Sequence, residues 1–262
     1  MSDLDYTPNE IMTITAARSL QNGDVCFVGI GLPSAASNLA RLTHAPEVVL
    51  IYESGTIGAK PHVLPLSIGD GELAETADTV VSVPEIFRYW LQGGRVKIGF
   101  LGAAQIDRFG NINTTVIGPY DKPKVRLPGA GGAPEIASSA QEVWIILKQS
   151  LRSFVSHLDF MTSAGHLTGG ESRVKAGARG KGPTRVITDL GVLEPDPQTH
   201  ELIVTALHPG ITKEQMIAAT GWELKFADKL QTTKAPTSQE LQVLRDLNDR
   251  TALAHGSIAS GD

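Results

Sequence analysis

The sequence predicts an α/β protein built on an open, mostly parallel sheet with helices on both faces, and three observations carry that prediction. Short uninterrupted apolar runs such as Val48-Val49-Leu50-Ile51-Tyr52 read as strands buried on both faces. These runs alternate with stretches of helical spacing, the grammar of βαβ units. From Thr184 onward the alternation gives way to two strand-like segments around Pro195-Asp196-Pro197, which predicts an antiparallel addition in the C-terminal part.

Taken in order, a helix is expected near Glu10 to Leu20 and a strand in the run Val25 to Ile30. Pro33 suits the first position of a helix through Ser34 to Leu42, because its missing amide hydrogen costs nothing there. The next strand ends at Glu53 and is followed by a long loop with Pro61, Pro65 and Gly69-Asp70-Gly71. Thr79 to Val83 reads as a strand, Pro84 to Leu91 as a short helix stopped by Gly93-Gly94, and Val96 to Gly102 as another buried strand. Val125 to Leu127 reads as a strand entering a glycine loop, with a helix from Pro134 and a strand at Val143 to Leu147. Thr184 to Leu193 and Glu201 to Leu207 are the two later strand segments. Thr212 with Gln215 and Thr237 with Glu240 make capping boxes for two further helices. Gly165 to Gly182 holds six glycines with Arg173, Lys175, Arg179 and Lys181, the composition of a mobile basic loop. Residues 1–8 and 257–262 are expected to be flexible, and 1–262 to form a single domain.

Composition narrows the function classes. Apolar residues are 41% and charged residues 19%, the balance of a globular protein. Cys26 is the one cysteine, so no internal disulfide forms, and Met1 to Asn22 carries no apolar h-region; a cytoplasmic protein with no membrane association is expected. A net charge of -5 gives no basic field for nucleic acid, although local basic patches could hold an anionic ligand. The histidines lack metal-ligand spacing, so no metal is expected.

Two places carry candidate chemistry. Glu53 stands at a strand's carboxyl end, where open parallel sheets bind ligands, and Gly55 after it leaves room for a substrate to approach the backbone. In Leu127-Pro128-Gly129-Ala130-Gly131-Gly132-Ala133-Pro134-Glu135 a strand runs into glycines before a helix, so successive amides could form an anion-binding nest. Gly29-Ile30-Gly31-Leu32-Pro33 is a second junction of that kind. Each has a plainer reading: a glutamate after a strand is ordinarily solvated, and glycines between strand and helix ordinarily serve a tight turn. Lys60, His62, Arg88 and Arg126 could pair with a carboxylate or phosphate, or simply be solvated.

Together, Gly29 to Pro33, Glu53-Ser54-Gly55 and Leu127 to Glu135 resemble the β-subunit pattern of family I CoA-transferases, of the glutaconate CoA-transferase type. The resemblance spans nearly the whole chain, including Leu101-Gly102-Ala103-Ala104-Gln105-Ile106-Asp107 and Arg108-Phe109-Gly110-Asn111-Ile112-Asn113. Ser54 separates the chain from the branch with Glu-Asn-Gly at that place. The resemblance implies the sugar-phosphate-isomerase-like architecture, Glu53 as nucleophile, and the amides of Gly131 and Gly132 as oxyanion donors. It further implies Gly29, Gly31, Ser54, Gly55, Gly129 and Ala130 at the acyl-CoA, with no tightly bound cofactor and with CoA and acyl-CoA as substrates. A homologous α subunit is the implied partner, succinyl-CoA the implied donor and 3-oxoadipate the implied acceptor. Another acid, a hydrolase acting on a CoA thioester or ring-opening substrate, and a non-catalytic subunit on the same architecture stay open as alternatives.

Overall fold

The structure, a computed structural model, describes residues 5–256. In chain order its first elements are α1 (Pro8–Ser19), β1 (Val25–Phe27), α2 (Leu32–Leu42), β2 (Val49–Ile51), β3 (Thr56–Ile57), α3 (Gly71–Glu75), β4 (Thr79–Val80) and α4 (Val83–Glu85). A π-helical turn, Ile86–Leu91, continues α4. Then come β5 (Ile98–Leu101), β6 (Gln105–Ile106), β7 (Ile112–Asn113), β8 (Val116–Ile117), β9 (Val125–Arg126), α5 (Ala133–Ser139), β10 (Glu142–Ile146) and α6 (Ser172–Lys175). The chain finishes with β11 (Pro183–Ile187), β12 (Gly191–Pro195), β13 (Leu202–Leu207), α7 (Lys213–Ala218), β14 (Lys225–Thr232) and α8 (Ser238–His255). The fold is a mixed, mostly parallel sheet flanked by helices, with an antiparallel C-terminal addition, as the sequence predicts.

The expected single domain divides into two compact units: residues up to Ile86 together with those from Pro236 onward, and Phe87–Ala235. In the first unit the strand order is β1-β2-β3-β4, with β1 and β2 parallel and β3 and β4 antiparallel additions. Helices α1, α2 and α8 pack on one another in this unit, and α8 is tied to α1 by Arg18–Glu240 and Arg245–Glu10 ion pairs, both 2.6 Å. Ile11, Met12, Ile14, Leu39, Leu50, Leu244 and Leu247 fill its core. Cys26 is buried, as its apolar strand implies.

In the second unit the order is β14-β13-β12-β11-β10-β5, with β5, β10 and β11 parallel. The segment Thr184 to Leu193 is two strands, not one, because Thr188 turns the chain: its amide donates to Gly191 O at 2.9 Å and its hydroxyl accepts from the amides of Leu190 and Gly191. Val125 and Arg126 are exposed and pair with β8 in a two-stranded ribbon, not in the main sheet.

Both expected C-terminal capping boxes form, and Thr7 with Glu10 and Ser82 with Glu85 form two more. The Thr7 box starts α1 at Pro8. Of the two termini expected to be flexible, residues 1–4 and 257–262 lie outside the described residues. The expected mobile basic loop is folded around Arg173, which is 4% exposed. Its guanidinium donates to the carbonyls of Gly180 (2.9 Å), Gly165 (2.9 Å), Ala164 (3.3 Å) and Ala137 (2.6 Å).

Candidate active site

Glu53 leaves the sheet immediately beyond β2, in a turn built so that its backbone is fixed on both sides. The Gly55 amide donates to Tyr52 O at 3.0 Å, and the Tyr52 amide donates to Thr56 O at 3.1 Å, which reverses the chain into β3. Gly55 has φ +108, and a Cβ there would run into the Val81 carbonyl oxygen; the Val81 amide donates to Gly55 O at 2.9 Å. The sequence suggests that Gly55 is bare to admit a substrate. In the structure the chain beyond β4 takes that space, so Gly55 is required by the turn itself.

The Glu53 side chain is half-buried, and among the described residues no hydrogen bond or ion pair engages its carboxylate. The Ser54 hydroxyl oxygen beside it is buried and without a partner among the described residues. Gly31 caps α2 with φ 82 and ψ -131, a conformation available to glycine, and a Cβ there would meet open space. Gly29 has an ordinary φ, and a Cβ there would meet the Pro33 Cγ at 3.8 Å, so nothing within the fold demands a glycine.

Behind the Glu53 turn runs a buried polar chain that sequence reasoning misses. The fully buried Tyr52 hydroxyl lies 3.0 Å from Ser34 Oγ, and Asn38 Nδ2 donates to Ser34 O at 3.0 Å. Arg41 donates to Asn38 Oδ1 through Nε (3.1 Å) and an Nη (3.0 Å), and that Nη also donates to Pro61 O at 2.7 Å. Burial pushes the Tyr52 phenol above its ordinary range and the Arg41 guanidinium below its own. The available signal is spacing: Ser34, Asn38 and Arg41 fall at i, i+4 and i+7, one face of a helix otherwise rich in alanine and leucine.

In the second unit the glycine loop follows β9 and opens α5. It is fastened at one end, where Leu127 N donates to Thr115 O (3.0 Å), Gly129 N to Thr114 O (2.9 Å) and the Thr114 hydroxyl to Gly129 O (2.7 Å). Gly129 and Gly131 have φ of 103 and 49. Ala130 O accepts from the Ala133 amide at 3.0 Å, whereas the amides of Gly131 and Gly132 have no acceptor among the described residues. Two free, adjacent donors at a helix start are what an oxyanion would need.

Of the other basic candidates, Lys60 and Arg126 are engaged through their side chains and His62 through its backbone. Lys60 pairs with Asp78 at 2.6 Å, the His62 carbonyl accepts from Arg250 at 2.7 Å, and Arg126 lies 4.8 Å from the Tyr120 ring centroid and donates to Tyr120 O. Arg88 is exposed, 5.9 Å from the Tyr89 ring centroid. The run Asp107 to Asn113 is scaffold. Asp107 Oδ1 accepts from the amides of Phe109 and Asn111, and Asn111 Oδ1 accepts from those of Gly165 and Leu167. Among the described residues no group of three or more His, Cys, Asp or Glu side chains could hold a metal, and no helix is long and apolar enough to cross a membrane.

The coenzyme A transferase family model matches residues 9–219. The chain is 69% identical over 251 residues, 96% of each chain, to the β subunit of 3-oxoadipate CoA-transferase from Pseudomonas knackmussii. The solved structure of glutaconate CoA-transferase from Acidaminococcus fermentans superposes with a TM-score of 0.88 at 32% identity, covering 95% of this chain and 96% of that one. The decarboxylase AibA/AibB superposes with a TM-score of 0.79 at 26% identity, over 94% of this chain and 96% of that one.

Proposed function

The chain belongs to the coenzyme A transferase family, and from that premise we propose that it is the nucleophile-bearing β subunit of a heteromeric enzyme moving CoA from succinyl-CoA to 3-oxoadipate through a glutamyl-CoA thioester on Glu53. The observation that carries this reading is the Glu53 carboxylate itself, held on a fixed turn beyond a parallel strand and neutralised by no partner among the described residues. The 69% identity to the β subunit of a 3-oxoadipate CoA-transferase supports the acceptor and the existence of a companion subunit. The decarboxylase relative shows that this fold also serves other chemistry, so the assignment leans on the nucleophile and on that identity.

A Glu53 carboxylate oxygen attacks the thioester carbonyl of succinyl-CoA. The tetrahedral intermediate collapses with cleavage of the C–S bond, giving an acyl-glutamyl anhydride and CoA thiolate. The thiolate attacks the glutamyl carbonyl and expels succinate, leaving the glutamyl-CoA thioester. The acceptor carboxylate then runs the two steps in reverse, so charge and atoms balance without water. A carboxylate is a weak nucleophile, and stabilising the oxyanion with one amide donor contributes about 2.7 to 4 kcal/mol. The amides of Gly131 and Gly132 are assigned that role, and Gly29, Gly31, Ser54, Gly129 and Ala130 the positions facing acyl-CoA. Holding the thioester against the carboxylate through the remote part of CoA adds an effective molarity worth roughly 7 to 11 kcal/mol.

The test is Glu53→Gln in the co-expressed pair of subunits. Transfer should be abolished, and the parental enzyme given acyl-CoA and then borohydride or hydroxylamine should carry a modification at Glu53. Parental turnover by Glu53→Gln removes the proposal. An acceptor screen of the same pair is expected to rank 3-oxoadipate first by kcat/KM, and another acid ahead of it would reassign the substrate.

A further inference from the structure

Tyr52 fastens the Glu53 turn in two directions, through its backbone and through its side chain. Its amide and carbonyl close that turn against Thr56 and Gly55. Its phenol, fully buried, reaches across to Ser34 in the first turns of α2, the helix that Gly31 opens. The strand end carrying Glu53 and the helix start carrying Gly31 are therefore linked by a side-chain hydrogen bond. Asn38 and Arg41 continue that link to the Pro61 carbonyl in the loop after β3.

We propose that Tyr52 is a positioning residue for the transfer reaction, its hydroxyl bond to Ser34 holding the Glu53 turn at the distance from the Gly29–Gly31 junction that the acyl transfer requires. The proposal rests on Glu53 being the nucleophile. Physically, a carboxylate that must add to a thioester carbonyl is sensitive to ångström shifts, and displacement by about 1 Å can lower a rate about 10²-fold. A bond between two buried hydroxyls controls such a shift because the backbone bonds of Tyr52 close the turn on itself, whereas its hydroxyl bond to Ser34 ties that turn to α2. Removing it by Tyr52→Phe keeps the aromatic ring and the charge of the site and deletes a single buried oxygen.

The experiment is a double-mutant cycle in the assembled enzyme with Tyr52→Phe, Ser34→Ala and both together, reading kcat, KM for acyl-CoA and the thermal midpoint. Either single change breaks the same bond from opposite ends. Each should lower kcat about 10- to 100-fold with KM within about twofold, and the double variant should lose no more than the larger single. The rate at which the Glu53 adduct forms should fall in step with kcat. Parental kcat in Tyr52→Phe and Ser34→Ala, with only the midpoint lowered, would make the bond purely structural and overturn the proposal. Additive losses in the double variant would overturn the bond as the carrier of the effect. Glu53→Gln measured alongside separates the two levels: if it is inactive while Tyr52→Phe is parental, the nucleophile stands and the positioning role falls.

Discussion

At the scale of single residues, the glycines around the proposed nucleophile have different physical reasons to be glycine, and the differences are testable. Gly55 sits at φ +108 with the Val81 carbonyl oxygen where a Cβ would be. Gly55→Ala therefore combines backbone strain of about 1 to 3 kcal/mol with a clash against main chain that cannot rotate away. A lowered thermal midpoint and loss of transfer are expected together. Gly29 is the opposite case, with an ordinary φ and only the Pro33 Cγ at 3.8 Å. Gly29→Ala should fold with an unchanged midpoint and raise KM for acyl-CoA, because the added methyl group occupies space the fold leaves free. Parental KM would show that the substrate does not approach there. Ser54 lies between these cases: its hydroxyl is buried without a partner among the described residues, which the sequence alone could not reveal.

At the scale of elements, helix α5 holds the proposed oxyanion donors at its start, and its seat is set by Gly99 on β5. A Cβ at Gly99 would run into the Ile136 Cγ2 and fall 3.1 Å from the Ala140 Cβ. Gly99→Ala must push α5 outward, and the amides of Gly131 and Gly132 move with it. A fall in kcat exceeding any change in KM is expected, with partial recovery on adding Ile136→Ala, which removes the obstructing methyl. No recovery would place the defect elsewhere. Element length also explains what is legible in the sequence. Strands such as β2 and β10 announce themselves as continuous apolar runs, and α7 and α8 as capping boxes, so the parallel framework and the place of Glu53 can be read directly. β3, β4, β8 and β9 have two residues each, too few to show any period, so the antiparallel return after Glu53 and the two-stranded ribbon before Gly129 cannot. Arg173 escapes the sequence for a related reason. Its segment looks polar and glycine-rich, yet the guanidinium is buried against backbone carbonyls, and composition does not distinguish a solvated arginine from one that organises a loop.

At the scale of the whole molecule, the response to acid follows from where its histidines are held. His166 is buried, with Nε2 2.8 Å from Pro183 O, and its ring stacks on His200 at 4.7 Å. Burial, with the neighbouring His200 and Arg173, lowers its pKa from 6.5 to about 4 despite the bond to Pro183. His208 is buried between Thr188 O and the Thr233 hydroxyl, and burial lowers its pKa too, against the opposing pull of Asp189. Both groups stay neutral in the folded chain at a pH where the unfolded chain already binds protons. Stability therefore rises with pH across this window. Neither costs stability above about pH 6.5; below it the unfolded chain gains by binding protons that the folded chain refuses, and for His166 this loss grows until pH reaches about 4. The carboxylate of Glu10 is held low by Arg245, and that of Glu240, against burial that raises it, is held low by Arg18 and Thr237; both act in a lower range, as pH falls through the usual carboxylate values. Thermal midpoints measured from about pH 7.5 down to about 4 should fall steadily from about 6.5, before those ion pairs are protonated. The double variant His166→Gln, His208→Gln, although less stable at neutral pH, should show a flatter profile between about pH 6.5 and 4. An unchanged slope in that variant would place the acid sensitivity on the carboxylates instead.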